Sequence, residues 1–247
     1  MVLRCLSVAE WNSYVASYDF GSVKPSRVVL HHTYIPTLAQ WHGVGSMRSM
    51  QTFYGRKGWT AAPHVYCGPD GIWLSTPMHD IGIHAGTGNS GRVNGKLWYS
   101  IGLEMVGYYD KVLPSGPVWE NSLAVMGGLS RRLSIVPRQL ISFHRDYTNL
   151  KSCPGWAVTK EWVFGQVEAW LRLDTESKTV VVKPGGGTLR SAPLRIDTTI
   201  VRNAIAGERL TVLNGVAGQG VNGNTKWLRV SDTQHREYVI HESAVTE

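Results

Sequence analysis

The sequence predicts an α/β domain, a mixed central sheet flanked by helices, followed by a small all-β barrel. Apolar residues recur at helical spacing in LAVMGGLSRRLSI and AVTKEWVFGQVEAWLRL. Strand-like runs, SRVVLHHT and SIGLEMVGYY, interleave with helical segments, the pattern of a sheet covered on its faces. Near residue 174 the composition changes, and short β-type runs alternate with turns from there onward. The expected boundaries are 1–173 for the first domain, 174–182 for a linker and 183–247 for the barrel.

Taken in order, MVLRCLSVAEWNSYV reads as an amphipathic helix with Ser7 and Glu10 at capping-box spacing. SRVVLHHT is a strand, and MRSMQTFYGRKGW a helix with Met47, Met50 and Tyr54 on one face. PHVYCGPDGIWLS is a hairpin turning at Pro69-Asp70-Gly71, and SIGLEMVGYY is another strand. RQLISFH is a short strand leading into FHRDYTNLKSCPGW. After the second helical run, DTESKTVVVKPGGGTLRSAPLR is polar and then glycine-rich, as a linker and first loop would be. TLRSAP, TTIVRNAIA, ERLTVLNGVAG, TKWLRVSD and REYVIHESAV supply the strands of the barrel.

At 247 residues, with 43% apolar and 17% charged side chains, the chain can bury a full core and is not of disordered composition. No apolar run approaches the ~20 residues that cross a bilayer, so membrane insertion is not expected. The first residues, broken by Glu10 and Asn12, make a poor signal peptide. Three cysteines argue against a disulfide framework. The net charge of +7 is diffuse, with no basic run or helix, which excludes an evident nucleic-acid groove and suits a large polyanionic partner.

Chemistry concentrates in FHRDYTNLKSCPGW. Zinc takes neutral imidazole and thiolate, and a catalytic site keeps three protein ligands. His144 and Cys153 lie near a strand end, and the loop between them can fold back so that both reach one ion. A third ligand can come from His31 or His32; adjacent strand residues face opposite ways, so at most one of them binds. Lys151 beside the cysteine adds a positive charge. His42, His79, His235 and His241 read as ordinary structural histidines, and most of the ten tryptophans, including Trp59, Trp73, Trp98 and Trp119, as packing.

VVLHHT, APHVYCGPDGIW, IGIHAG, SIGLEMVG and FHRDYTNLKSCPGW, in this order and approximate spacing, resemble zinc-dependent N-acetylmuramoyl-L-alanine amidases. That group includes phage endolysins and peptidoglycan-recognition proteins, and the resemblance covers roughly residues 27–171. It implies the amidase fold, Zn2+ held by His31, His144 and Cys153, and bacterial peptidoglycan as substrate. Lys151 matches the family's lysine near the oxyanion. One branch of the family carries a tyrosine before the histidine of the first hairpin strand, where this chain has Pro63 before His64. The other branch uses a glutamate in the SIGLE strand, here Glu104, as general base. His84 matches a position lining the substrate groove, the alternative being a histidine that only bonds its own loop; His64 is placed with it as a substrate-side residue, or as one that orients a ligand or the water. Asp146 reads as structural, bonding loop amides or Arg145. Relative to some members, the loop 147–152 is one residue longer.

Residues 178–247 resemble a bacterial SH3-like wall-binding module through LRSAPLR, GERLTVL, WLRV and the final YV strand. Its departures are a long loop at 216–225 and the lack of a glycine before the last strand. The expected protein is a monomeric peptidoglycan hydrolase of endolysin type, cutting between N-acetylmuramic acid and L-alanine. With no signal peptide it would wait in the host bacterial cytoplasm until release to the wall, or leave by a non-classical secretory route. The alternatives are a non-catalytic peptidoglycan-recognition protein and a zinc stem-peptide endopeptidase.

Overall fold

A computed structural model describes residues 2–175, 179–233 and 236–246; His235 lies outside them. The chain divides into two compact units, Met1–Trp170 and Leu171–Glu247.

In the first unit, strands β1 (Arg4–Leu6), β2 (Arg27–His32), β3 (Val65–Gly68), β4 (Gly71–Leu74), β6 (Lys96–Met105) and β7 (Ile141–Phe143) run in the spatial order β1-β4-β3-β6-β2-β7. A further strand, β5 (Ser90–Val93), pairs antiparallel with the start of β6. The centre of the sheet is parallel: β6 lies between β2 and β3 in the same direction, and β7 runs parallel to β2. Strands buried on both faces read as near-continuous apolar runs, and Val28, Val29, Leu30, Ile101 and Leu103 are all fully buried.

Helices cover both faces. α1 (Val8–Ser17) opens with the expected capping box, Glu10 N–H donating to Ser7 Oγ and Ser7 N–H to the Glu10 carboxylate at 2.8 Å. It packs on α3 (Gly116–Leu133), where Trp11 donates its indole N–H to the Ala124 carbonyl at 3.0 Å. The Asn121 side chain of α3 donates to the Gly68 carbonyl on β3. α5 (Lys160–Thr175) joins this layer, Trp162 stacking on Trp119 at 4.3 Å. α2 (Val44–Arg56) lies against the other side of β3: its buried Met47 packs with Tyr66, Trp41, Trp73 and Val106, and Met50 and Tyr54 flank them. These are the apolar positions that helical spacing predicts. Pro137 opens a single helical turn, α4 (Pro137–Leu140), so only the end of the expected RQLISFH strand is extended.

The second unit is all β. Strands β8 (Thr179–Val182), β9 (Gly187–Arg190), β10 (Ile200–Ala204), β11 (Arg209–Val221), β12 (Asn224–Ser231), β13 (Glu237–His241) and β14 (Val245–Thr246) follow the order β10-β9-β13-β12-β11-β8-β14. They enclose Val180, Val182, Leu189, Leu210, Val230, Tyr238 and Ile240. Two expectations are corrected here. Of the expected linker 174–182, Thr179–Val182 is a strand paired with β11, because Val180 and Val182 alternate into this core. The expected long loop at 216–225 is instead the tip of the β11–β12 hairpin, turning at Asn222-Gly223, both with positive φ.

Candidate active site

Register builds the site. In the parallel pairing His31 of β2 lies beside Glu104 of β6, and Glu104 lies beside Tyr66 of β3, so the three side chains share one row. His32 takes the opposite side, where its Nδ1 accepts the Tyr109 N–H at 3.2 Å and its ring lies near Tyr108 and Tyr109. The strand alternation that leaves one of the two histidines for a metal therefore selects His31. β7 runs parallel to β2 and delivers His144 immediately after Phe143.

The chain then returns so that His31, His144 and Cys153 converge, with one donor atom from each lying within 4.8 Å of the others. His31 Nδ1 is 3.0 Å from His144 Nδ1 and 3.6 Å from Cys153 Sγ. Two imidazoles and a thiol from separate elements, with their donor atoms turned inward, form a set that fits a transition-metal ion. Burial depresses the basicity of both histidines, aided by the Lys151 charge, and holds His144 at about 4, so both rings are neutral as ligands must be. Burial and the nearby Glu104 push the Cys153 thiol far up, partly offset by the His32 N–H that donates to its sulfur at 3.3 Å.

Arg145, which sequence reasoning left only as a partner for Asp146, holds this loop in place. Its backbone N–H donates to the Cys153 carbonyl at 2.9 Å, and its guanidinium donates to the carbonyls of Ser152, Gly155 and Val158. Asp146 is structural, as expected, but its partners are the Phe143 N–H and Lys160. Gly155 has φ +117°, and a Cβ there would run into the Tyr109 carbonyl, so the turn after the cysteine admits only glycine.

Glu104 Oε1 lies 4.0 Å from His31 Nδ1, while Oε2 is buried with no hydrogen-bond partner. Desolvation pushes its pKa up to about 8, against the opposing pull of Lys151. A carboxyl that ionises near neutrality and has an unoccupied oxygen is suited to carrying a proton. It stands where two cavities meet. One, about 500 Å3, is lined by His31, His84, His144, Lys151, Cys153 and Glu104 among others. The other, about 810 Å3 and mostly apolar, runs from Glu104 along α2 past Met50 and Phe53 to His42. Lys151 is exposed at the rim of the first.

His84 lines the first of these cavities, but both its ring nitrogens engage protein groups. His64 does not reach either cavity, which corrects its expected place on the substrate side. It is fully buried, with Nε2 donating to the Asp80 carbonyl at 3.1 Å and Nδ1 accepting the Gly102 N–H at 2.9 Å. Those two bonds require the neutral ring, and burial lowers its pKa to about 4. Between that value and the ordinary ~6.5 the unfolded chain binds the extra proton, so stability falls as pH drops through this window. The loss should approach ~3 kcal/mol, read as melting temperature from pH 7 to 4. His64→Gln should flatten that slope, and an unchanged slope would show that the ring titrates normally.

No curated protein sequence matches the chain. Among solved structures, Drosophila PGRP-LB is similar at 24% identity, over 68% of this chain and 94% of that one, with a TM-score of 0.49. The endolysine N-acetylmuramoyl-L-alanine amidase LysCS from Clostridium intestinale URNW is 17% identical over 68% and 89% of the two chains, with a TM-score of 0.46. The Ph2119 endolysin of the Thermus scotoductus MAT2119 bacteriophage is 20% identical over 64% and 96%, with a TM-score of 0.45. The family model for N-acetylmuramoyl-L-alanine amidase matches residues 21–156, a span holding His31, Glu104, His144 and Cys153. That match takes in more than half of the sequence, and the chain belongs to the N-acetylmuramoyl-L-alanine amidase family.

Proposed function

We propose that this chain is a zinc-dependent peptidoglycan hydrolase of endolysin type. It would cut the amide between the lactyl group of N-acetylmuramic acid and L-alanine of the stem peptide. The observation that carries the reading is the convergence of His31, His144 and Cys153 beside a buried carboxyl with a free oxygen. His31 and His144 would hold the ion through nitrogen and Cys153 through sulfur. A zinc ion bound there supplies Lewis acidity and makes water nucleophilic near neutral pH.

The other steps belong to the chain's own residues. Glu104 takes the proton released as water adds to the amide carbon, and passes it to the L-alanine nitrogen as the C–N bond breaks. The new carboxylic acid then gives its proton to the amine at neutral pH, so the products are a carboxylate on the lactyl group and an ammonium on the peptide. Lys151 at the cavity rim offsets the negative charge that develops on the carbonyl oxygen. The first transfer needs the carboxylate, which a cation held beside Glu104 would favour, and burial, by raising the affinity of this carboxyl for a proton, lets it retain the proton between the two transfers. To the second unit we assign attachment to the wall as an SH3-like module, which would raise the effective concentration of a monomeric enzyme at an insoluble substrate.

Digestion of purified peptidoglycan with and without a chelator tests the reading, with mass analysis of the released products. The expected result is stem peptides with a free L-alanine amine, lost on chelation and restored by zinc. Intact wall under all conditions would leave recognition without catalysis. Products cut within the stem peptide would make the enzyme an endopeptidase.

A further inference from the structure

We propose that His84 is a positioning residue: it accepts the Nε2 proton of His31 and so holds that ring in the tautomer whose Nδ1 is bare. The inference rests on the reading of His31 as a metal ligand through Nδ1. It concerns an atom pair on the far side of that ring from the cluster.

His31 Nε2 lies 3.1 Å from His84 Nδ1, the rings meeting edge to face at 88°. His84 Nε2 lies 3.3 Å from Ser100 Oγ, and Ser100 Oγ lies 2.6 Å from the Gly88 carbonyl oxygen. A carbonyl can only accept, so the Ser100 hydroxyl spends its proton there. Ser100 Oγ then accepts from His84 Nε2–H. A neutral imidazole has one N–H, so His84 Nδ1 is left as an acceptor and His31 Nε2 must donate to it. The run of bonds ends on a backbone oxygen and therefore has one direction. Moving the His31 proton to Nδ1 would aim it at His144 Nδ1 and Cys153 Sγ. It would also leave two lone pairs facing each other across 3.1 Å, unless His84 gave up its bond to Ser100.

The His84 ring is placed for this task from several sides. The backbone N–H groups of His84 and Ala85 both donate to Asn89 Oδ1, at 3.0 and 2.6 Å. One face rests on Gly102, where a Cβ would stand 2.6 Å from ring atoms, so the strand beneath is cut away to admit it. The edge-to-face contact with His64 at 5.7 Å closes another side. A metal-ligating histidine ordinarily gives its second N–H to a carboxylate, carbonyl or water. Here the acceptor is a second neutral imidazole, which orients the ring without adding a negative charge behind it.

The first test needs no substitution. In metal-free, 15N-labelled protein at neutral pH, ring 1H–15N correlations should show His31 and His84 each protonated at Nε2, with Nδ1 of pyridine type. A His31 proton on Nδ1 would overturn the proposal, whether or not the chain binds zinc. The second test is zinc affinity by competition with a chelator, with folding checked by circular dichroism. His84→Ala should weaken binding about 10–100-fold. His84→Asn, which puts an amide oxygen close to the place of Nδ1, should recover most of the loss, and His84→Leu, which fills the space without an acceptor, should not. Recovery by Leu rather than Asn would make the residue a packing element and sink the proposal. A wild-type chain with no affinity for zinc would instead refute the proposed function, while the ring correlations would still decide the tautomer.

Discussion

Replacing Glu104 with glutamine is expected to lower kcat by about 10²–10⁴-fold while zinc stays bound. The carboxyl is not one of the converging donors; it stands one strand over from His31 at 4.0 Å. Glutamine keeps its shape and polarity but cannot take up and release a proton. KM should move little, and zinc content measured on the same preparation should match wild type. Loss of zinc together with activity would make Glu104 a ligand or a support of the cluster; full activity would remove it from proton transfer. The metal-free chain offers an independent check with a worked sign. Because the folded pKa is raised to about 8, the unfolded chain loses its proton first as pH rises above ~4.5. Wild-type stability therefore falls across that window, and Glu104→Gln should gain in melting temperature relative to wild type more at pH 8 than at pH 5. A residue kept at a cost to the fold is the pattern of a functional carboxyl.

Cys153→Ser should abolish zinc binding and activity together. A hydroxyl at this place would not ionise, and oxygen is a poorer partner for zinc than thiolate. If Cys153 merely filled the core, the change would cost about a kilocalorie or two and leave turnover intact. Wild type carries a further signature. Burial holds the thiol protonated in the metal-free chain, so binding must expel that proton. Apparent zinc affinity should then rise about tenfold per pH unit near neutrality, as titration against a competing chelator would show. A flat profile would mean that the sulfur is not a ligand.

The central strands and the convergence of His31, His144 and Cys153 were legible because their signals are local or periodic. HHT at the end of an apolar strand, with alternation of faces, points to one ligand, and the β2–β6 register then puts Glu104 beside it. Ser7 and Glu10 announce the first helix in four residues. What escaped was set by partners distant in sequence. β1 is three residues long and exists because it pairs with β4. TVVV sits next to DTESK and reads as linker until Val180 and Val182 are seen to face a core built by later strands. His64 carries no local sign that both its nitrogens meet backbone groups, one of them on β6. Arg145 adjoins His144 in HRD, but its carbonyl acceptors appear only once the loop has closed. The Asn-Gly pair in VNGN, by contrast, is a readable hairpin turn inside the expected long loop.

The converging side chains come from far apart along the polypeptide: His144 lies 113 residues beyond His31, and Cys153 lies 122 beyond it. An ion held between them is a cross-link as well as a reagent. It fastens an early strand to a late loop and makes a single closed ring of most of the first unit, stabilising it by about 4 kcal/mol when free zinc is a thousandfold above its dissociation constant. Stripping the metal should therefore loosen the scaffold as well as silence it, and a protease added after chelation would register that loss before any substrate was offered.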